Sequence, residues 1–226
     1  MFKITVGICC YKQGKWLHRC LRSLCDQSID KSTFEVVIVN DDPAERLDCI
    51  CETFKDHLNI RIINNTTNIG LPGSLNKILK SALGKYFVRV DCDDYVSSDF
   101  LYMLSTFLDQ NLAASPKAEN IDSDYQAVAC DYFKVSKTGT VISRHNWEQD
   151  PVACGIMFTY ESLCNVGFYD ENFKMREGHN LLQRYNTEGY KLYNLPVPLY
   201  KYRIHDTNRT HNSQEVEIYD KKLLKD

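Results

Sequence analysis

Apolar residues along this chain follow two alternating rhythms. Short runs rich in β-branched and aromatic residues, Phe2–Cys9, Phe34–Val39, Asn59–Ile63 and Tyr86–Val90, are separated by stretches whose apolar positions recur every three or four residues. The runs predict strands, and the intervening periodicity predicts amphipathic helices. Trp16, Leu17, Cys20, Leu21, Leu24 and Cys25 form one such helical face. A second helix is predicted over Ala44–Asp56. A third opens at Leu71-Pro72, with proline tolerated in its first turn, buries Leu71, Leu75, Ile78, Leu79 and Ala82, and stops at Gly84. Repeated strand–helix alternation predicts a mostly parallel sheet with helices on its faces.

The second half has a different grain. Ser97 and Ser98 are predicted to cap a helix carrying Phe100, Leu101, Leu104, Phe107 and Leu108, after which Leu112–Asp124 turns small and polar. Gln126–Val135 and Thr140–Arg144 read as a hairpin joined through Lys137-Thr138-Gly139. Helices are predicted at Tyr160–Val166 and Glu177–Thr187, and strands at Tyr190–Tyr193 and Leu199–Ile204. Polar His205–Ser213 and a charged tail helix, Glu215–Asp226, complete the chain.

Two predicted strands end in acid. Phe34–Val39 stops at Asn40-Asp41-Asp42-Pro43, and Tyr86–Val90 closes on Asp91-Cys92-Asp93-Asp94. In open α/β sheets ligands gather beyond the carboxyl ends of the strands, so these carboxylates stand where a ligand is expected. Clustered carboxylates suit a hard divalent cation, although an acidic turn closing a strand is the commoner use of such residues. Side chains of an extended segment alternate, which predicts that Asp91 and Asp93 face the same way and share one ion or its waters, with Asp94 directed elsewhere. Arg89 is placed either to meet a phosphate or to neutralise Asp91 or Asp93, and Lys77 carries the same two readings.

Composition narrows the function classes. The 226-residue chain is 43% hydrophobic and 25% charged with a net charge of −3, which gives no basic footprint for nucleic acid and no polybasic membrane patch. The first apolar run is too short for a signal peptide and no later one is long enough to span a bilayer, so the sequence reads as cytoplasmic. Most of the cysteines sit among apolar residues, and neither Cys9-Cys10 nor Cys49-x-Cys51 has zinc-ligand spacing. They read as core filler in a reducing compartment.

In order and spacing, Cys9-Cys10-Tyr11-Lys12, Val39-Asn40-Asp41-Asp42-Pro43, Asn68-Ile69-Gly70-Leu71-Pro72 with Asn76-Lys77, Asp91-Cys92-Asp93-Asp94, Arg176-Glu177-Gly178 and Tyr202-Arg203-Ile204-His205 resemble the motifs of the inverting GT-A-fold glycosyltransferases of family 2. The resemblance covers nearly the whole chain. It implies an α/β fold with a Rossmann-like, mostly parallel central sheet flanked by helices and a smaller α+β acceptor side. Residues 1–111 would form the nucleotide-sugar-binding half, 112–212 the acceptor-binding and catalytic half, and 213–226 a tail helix.

The same resemblance implies a donor site built from Cys10, Tyr11, Asp41, Asn68, Asn76, Lys77, Arg89, Asp91 and Cys92. Tyr11 would lie against the base, Asp41 would accept from its N–H, and Asp91 would lie near the ribose or the metal shell. Asp93 and His205 would hold Mn²⁺ or Mg²⁺, because a departing diphosphate develops charge that such an ion stabilises. The expected donor is a nucleotide sugar, a UDP-sugar by default. The expected acceptor is a glycan or lipid-linked sugar in cell-surface polysaccharide assembly. The tail is a candidate contact to a second subunit or to the inner face of a membrane, with packing on its own domain the plainer reading.

One departure bears on mechanism. The family commonly places Glu-Asp at the late helix, its Asp deprotonating the acceptor hydroxyl; here the pair is Glu177-Gly178, and Asn180 stands where a second Asp is frequent. Glu177 is therefore the candidate base. The alternatives are that another residue serves, or that the chain binds a nucleotide sugar or a partner protein without efficient transfer. An acid in the first turn of a helix is also a simple dipole partner. A nucleotidyltransferase is disfavoured, since no early Gly-rich phosphate loop followed by Arg and Lys is present.

Overall fold

Apolar runs without a polar break become strands covered on both faces. The computed structural model describes residues 2–114, 125–208 and 213–224. In it β1 (Ile4–Cys10) is followed by α1 (Gly14–Cys25), β2 (Phe34–Asn40), α2 (Asp48–Glu52), β3 (Ile60–Asn64), α3 (Leu71–Ser81) and β4 (Tyr86–Arg89). These strands pair in parallel in the order β3-β2-β1-β4. Along β2, Val36 and Ile38 join one apolar cluster while Val37 and Val39 join the other, which is why its sequence shows no alternation. Leu17, Leu21 and Leu24 of α1 close the first cluster, and Leu75, Ile78 and Leu79 of α3 the second.

The predicted helix over Ala44–Asp56 shrinks to the short α2. Asn40 and Asp42 explain the difference: their side-chain oxygens accept from the main-chain N–H groups of Asp42 and Ala44, a local alternative to helical bonding.

The chain continues through β5 (Tyr95–Val96), α4 (Phe100–Ala114), β6 (Tyr125–Val135), β7 (Val141–His145), β8 (Met157–Thr159), α5 (Tyr160–Val166), α6 (Glu177–Thr187), β9 (Lys191–Arg203) and α7 (Ser213–Leu223). These strands extend the same sheet, whose order beyond β4 is β8-β6-β9-β5, with β7 on β6. Strand β8 runs antiparallel to β4 and β6, whereas β6 and β9 are parallel. Instead of the two strands predicted around Tyr190–Ile204, β9 is one irregular strand. Its register against β6 shifts around Asp131, opposite the segment holding Pro196 and Pro198, and a bulge accommodates residues that lack an N–H. The sequence pattern missed β5 and β8 because segments of two and three residues are too short to show a period.

Most of the polar stretch expected over Leu112–Asp124 lies outside the described residues, as does the end of the predicted tail helix. The described α7 packs on its own domain, with Arg176 paired to Asp220 at 2.7 Å and Phe173 against Tyr219. Among the described residues no helix is long and apolar enough to cross a membrane. The consequence of the strand order is positional. It reverses between β1 and β4, and a crevice at such a switch point is where an open α/β sheet receives ligands.

Candidate active site

Past β4 the chain leaves strand geometry. Asp94 N–H donates to the Asp91 carbonyl at 3.0 Å and closes a turn, so the alternation expected of Asp91 and Asp93 does not hold. Asp91 instead groups with Asp94 and Cys154, whose possible ligand atoms lie within 4.8 Å of one another. Asp93 faces His205 and Gln13: its Oδ2 is 2.8 Å from His205 Nε2 and accepts from Gln13 Nε2 at 3.1 Å. On the other side of the ring Thr207 N–H reaches His205 Nδ1 at 3.3 Å. Burial and the Asp91 charge raise the Asp93 pKa, and His205 partly offsets them.

Asp94 serves the architecture of this turn. Its Oδ1 accepts from Arg203 N–H at 2.7 Å and its Oδ2 from the Tyr200 hydroxyl at 2.9 Å, while that same hydroxyl accepts from Asp91 N–H at 3.0 Å. Burial, then the charges of Asp93 and Asp91, push the Asp94 pKa well up. Arg203 is 1% exposed and completes the clamp, its Nε donating to the Asp93 carbonyl at 2.5 Å and its Nη1 to the Lys137 carbonyl at 2.7 Å. Its guanidinium lies 4.6 Å from the Trp16 ring centroid, and Trp16 in turn stacks on His205. In the sequence Arg203 stands within a motif, Gln13 in a polar break and Tyr200 in a predicted strand, none with an evident role, and Cys154 reads as core filler. Their signal is spatial, since β9 is brought to the acidic turn only by the sheet.

At the tip of β2, Asp41 organises the loop that follows β3. Its buried carboxylate accepts from the side-chain amides of Asn65 at 2.8 Å and Asn68 at 2.9 Å, and from the N–H groups of Ile69 and Gly70, both at 2.9 Å. Lys77 Nζ donates to Asn65 Oδ1 at 2.6 Å and joins the same network. Asn76 lies deeper: its amide bonds Tyr169 O and N and the Glu171 carboxylate, so it fastens α3 to the segment before α6. Tyr11 stands at the crevice mouth with 44% of its surface exposed, in a turn made by the left-handed Lys12. Cys10 and Cys92 are buried at the base of that turn, their Sγ atoms 2.8 Å apart.

Arg89 is paired with carboxylates, one of its two sequence readings. It binds Asp91 through Nε at 2.5 Å and Nη2 at 3.0 Å, and its Nη1 donates to Glu177 Oε1 at 2.7 Å. Burial alone would lower the Arg89 pKa, but the Asp91 and Glu177 charges carry it well up. Glu177 thus starts α6 as one partner of a buried ion pair that links the acidic turn to the late helix. Beside it, a Cβ on Gly178 would come within 2.2 Å of Ala153 Cβ, so the surrounding chain is closed to a carboxylate there. His179, next along α6, has a pKa lowered by burial and by Arg176.

An acid-tipped switch point on a sheet of this order defines a GT-A-type α/β domain, and solved structures agree. Staphylococcus aureus TarS 1–349 in complex with UDP-GlcNAc superposes with a TM-score of 0.76 at 19% identity, covering 93% of this chain and 61% of that one. Mannosyltransferase PcManGT from Pyrobaculum calidifontis, in complex with GDP-Man and Mn²⁺, gives 0.72 at 16% identity, covering 99% of this chain and 64% of that one. The chain belongs to glycosyl transferase family 2, whose model matches residues 5–161. Poly(ribitol-phosphate) beta-N-acetylglucosaminyltransferase TarS of Staphylococcus aureus is 34% identical over 112 residues, which span 49% of this chain and 20% of TarS. An uncharacterized glycosyltransferase of Haemophilus influenzae is 25% identical over 230 residues, 95% of this chain and 70% of that protein.

Two expectations follow from this geometry. Gly178→Asp, which puts back the acid common in the family, is expected to destabilise the fold by about 1–3 kcal/mol through overpacking against Ala153, read by denaturant unfolding. The second concerns pH. Folding raises the Asp94 pKa, so its contribution to stability is fully present below the ordinary carboxylate range and is lost as pH rises through the raised value. In metal-free buffer the melting temperature of Asp94→Asn is therefore expected to gain on wild type as pH rises from about 4 to about 8.

Proposed function

We propose that this protein is a metal-dependent inverting glycosyltransferase that moves a sugar from a nucleotide-sugar donor to a hydroxyl of a glycan or lipid-linked acceptor, in the assembly of a surface polysaccharide. The observation that carries this reading is the Asp93–His205 pair at the switch point, beside a loop organised by Asp41. Family membership supports sugar transfer, and the UDP-GlcNAc complex of a structural neighbour favours a UDP-sugar as donor. TarS, named for N-acetylglucosamine transfer to poly(ribitol phosphate), makes a surface polymer the natural class of acceptor.

The donor set fits a hard cation. Asp93 Oδ2 and His205 Nε2, 2.8 Å apart at the acidic turn, are the groups that would hold it. Mn²⁺ or Mg²⁺ held there would neutralise the diphosphate as it departs. With Nε2 toward the ion, Thr207 Oγ1, 2.9 Å from Nδ1, would accept a bond from Nδ1–H and orient the ring. Asp91, steered by Arg89, is assigned to the ribose side. Cys10 and Cys92 form the floor of the donor site, and Tyr11 offers its exposed ring to the base. Asp41 acts in this reading by fixing the main chain of Asn68–Gly70, since its oxygens already receive four donors.

Glu177 is assigned as the base for the acceptor hydroxyl, with Arg89 Nη1 holding its carboxylate in position at 2.7 Å. The Arg89 pair and the closed position at Gly178 favour a second reading, in which the chain binds a nucleotide sugar with little transfer.

Calorimetric titration with UDP, GDP, dTDP and CDP, with Mn²⁺ and again with chelator, tests the donor site. One nucleotide is expected to bind only with the ion, and His205→Ala to weaken that binding at least about tenfold, the loss of one strong ligand interaction. Binding indifferent to both chelator and His205→Ala would remove the metal assignment. Glu177→Gln is expected to lower turnover by about 10²–10⁴-fold with donor affinity kept. Unchanged turnover would take Glu177 out of the mechanism, and no turnover in wild type despite metal-dependent binding would select the second reading.

A further inference from the structure

The parallel pairing of β1 and β4 extends one residue past the end of β4. Ile4 pairs with Tyr86 and Gly7 with Arg89, and Val90 N–H still donates to the Gly7 carbonyl at 3.0 Å. The same offset sets Cys10 opposite Cys92, and their Sγ atoms are 2.8 Å apart. Both thiols are buried, at 0% and 1% exposure, so the pair is held in place by the core around it. Nearby thiols have other neighbours: Cys20 Sγ lies 3.8 Å from the Asp91 carbonyl, and Cys154 Sγ 3.9 Å from Asp94 Oδ2.

We propose that Cys10 and Cys92 are a redox-modification site, converted by a hydroperoxide into a reversible cross-strand disulfide. One sulfur attacks a peroxide oxygen: an S–O bond forms, the O–O bond breaks, and the departing hydroxide leaves with the thiol proton as water. The second sulfur then displaces that oxygen: the S–S bond forms, the S–O bond breaks, and a second water carries away the second thiol proton. Together the sulfurs lose two electrons, and hydrogen peroxide is reduced to two waters. The bond would join the turn carrying Tyr11 to the turn carrying Asp91 and Asp93. Burial makes the reaction slower than oxidation of exposed Cys49, because the oxidant gains access only when the sheet end opens.

The full chain is treated with increasing hydrogen peroxide, quenched, alkylated and digested without reductant. Cys10 and Cys92 are expected to disappear from the alkylated pool in equal amounts, to be recovered as one cross-linked peptide pair, and to return on treatment with dithiothreitol. Cys92→Ala should abolish the cross-link. Absence of the Cys10–Cys92 peptide from wild-type protein even after exposure to peroxide prolonged well beyond complete oxidation of Cys49 overturns the proposal, as does linkage of either residue to Cys20. The readout is a covalent bond, so its outcome is independent of whether the chain transfers sugar.

Discussion

A buried carboxylate, Asp94, is the tie on which the site depends. It is held by a main-chain N–H of β9 and by the Tyr200 phenol, with the charged Asp91 and Asp93 just before it in sequence. Those two hydrogen bonds offset only part of the cost of burial beside Asp93 and Asp91, so the group is fixed in place while its pKa stands well up. Because Tyr200 and Arg203 grip the acidic turn by its main chain and by Asp94, the Asp93 side chain need not hold the turn and can face His205. Positioning and ligand binding are divided between adjacent residues.

The parallel half of the fold was legible in the sequence because its strands are buried on both faces and its longer helices carry clean stripes. Leu17–Leu21–Leu24 and Leu75–Ile78–Leu79 face the clusters their spacing predicts. Helices α5 and α6 also begin and end where their patterns do, α5 with Thr159 capping and a left-handed Gly167 stopping it. What stayed hidden was set by tertiary pairing. The short β5 and β8 exist through their partners, and the proline-bearing β9 is continuous because β6 bulges to match it. Within the site, the acidic tip and His205 were readable as types of ligand. That Asp93 pairs with His205, while Asp91 turns to Arg89, depends on a turn that no alternation rule foresees.

Arg89 shows how a single cation can organise two regions distant in sequence. Reaching Asp91 two residues on and Glu177 on another helix, it makes the geometry of one carboxylate sensitive to the other. Removing one member of such a buried set leaves an uncompensated charge, so the three residues are energetically one unit. Gly178 belongs to the same economy of space. Its missing side chain lets Ala153, and with it Cys154, lie against α6.

The turn between β6 and β7 shows a different kind of constraint. Arg203 takes the Lys137 carbonyl at 2.7 Å, Arg19 the Thr138 carbonyl at 2.9 Å and the Tyr95 hydroxyl the Gly139 carbonyl at 3.4 Å. All three grips fall on main-chain oxygen. Gly139 itself is fixed, with φ +97° and Arg19 Nη2 2.2 Å from where a Cβ would sit. Positions 137 and 138, by contrast, are held whatever side chains they carry. The flank of the crevice is therefore a rigid mount with interchangeable fittings, and new chemistry can be displayed there without disturbing the acidic turn that holds it.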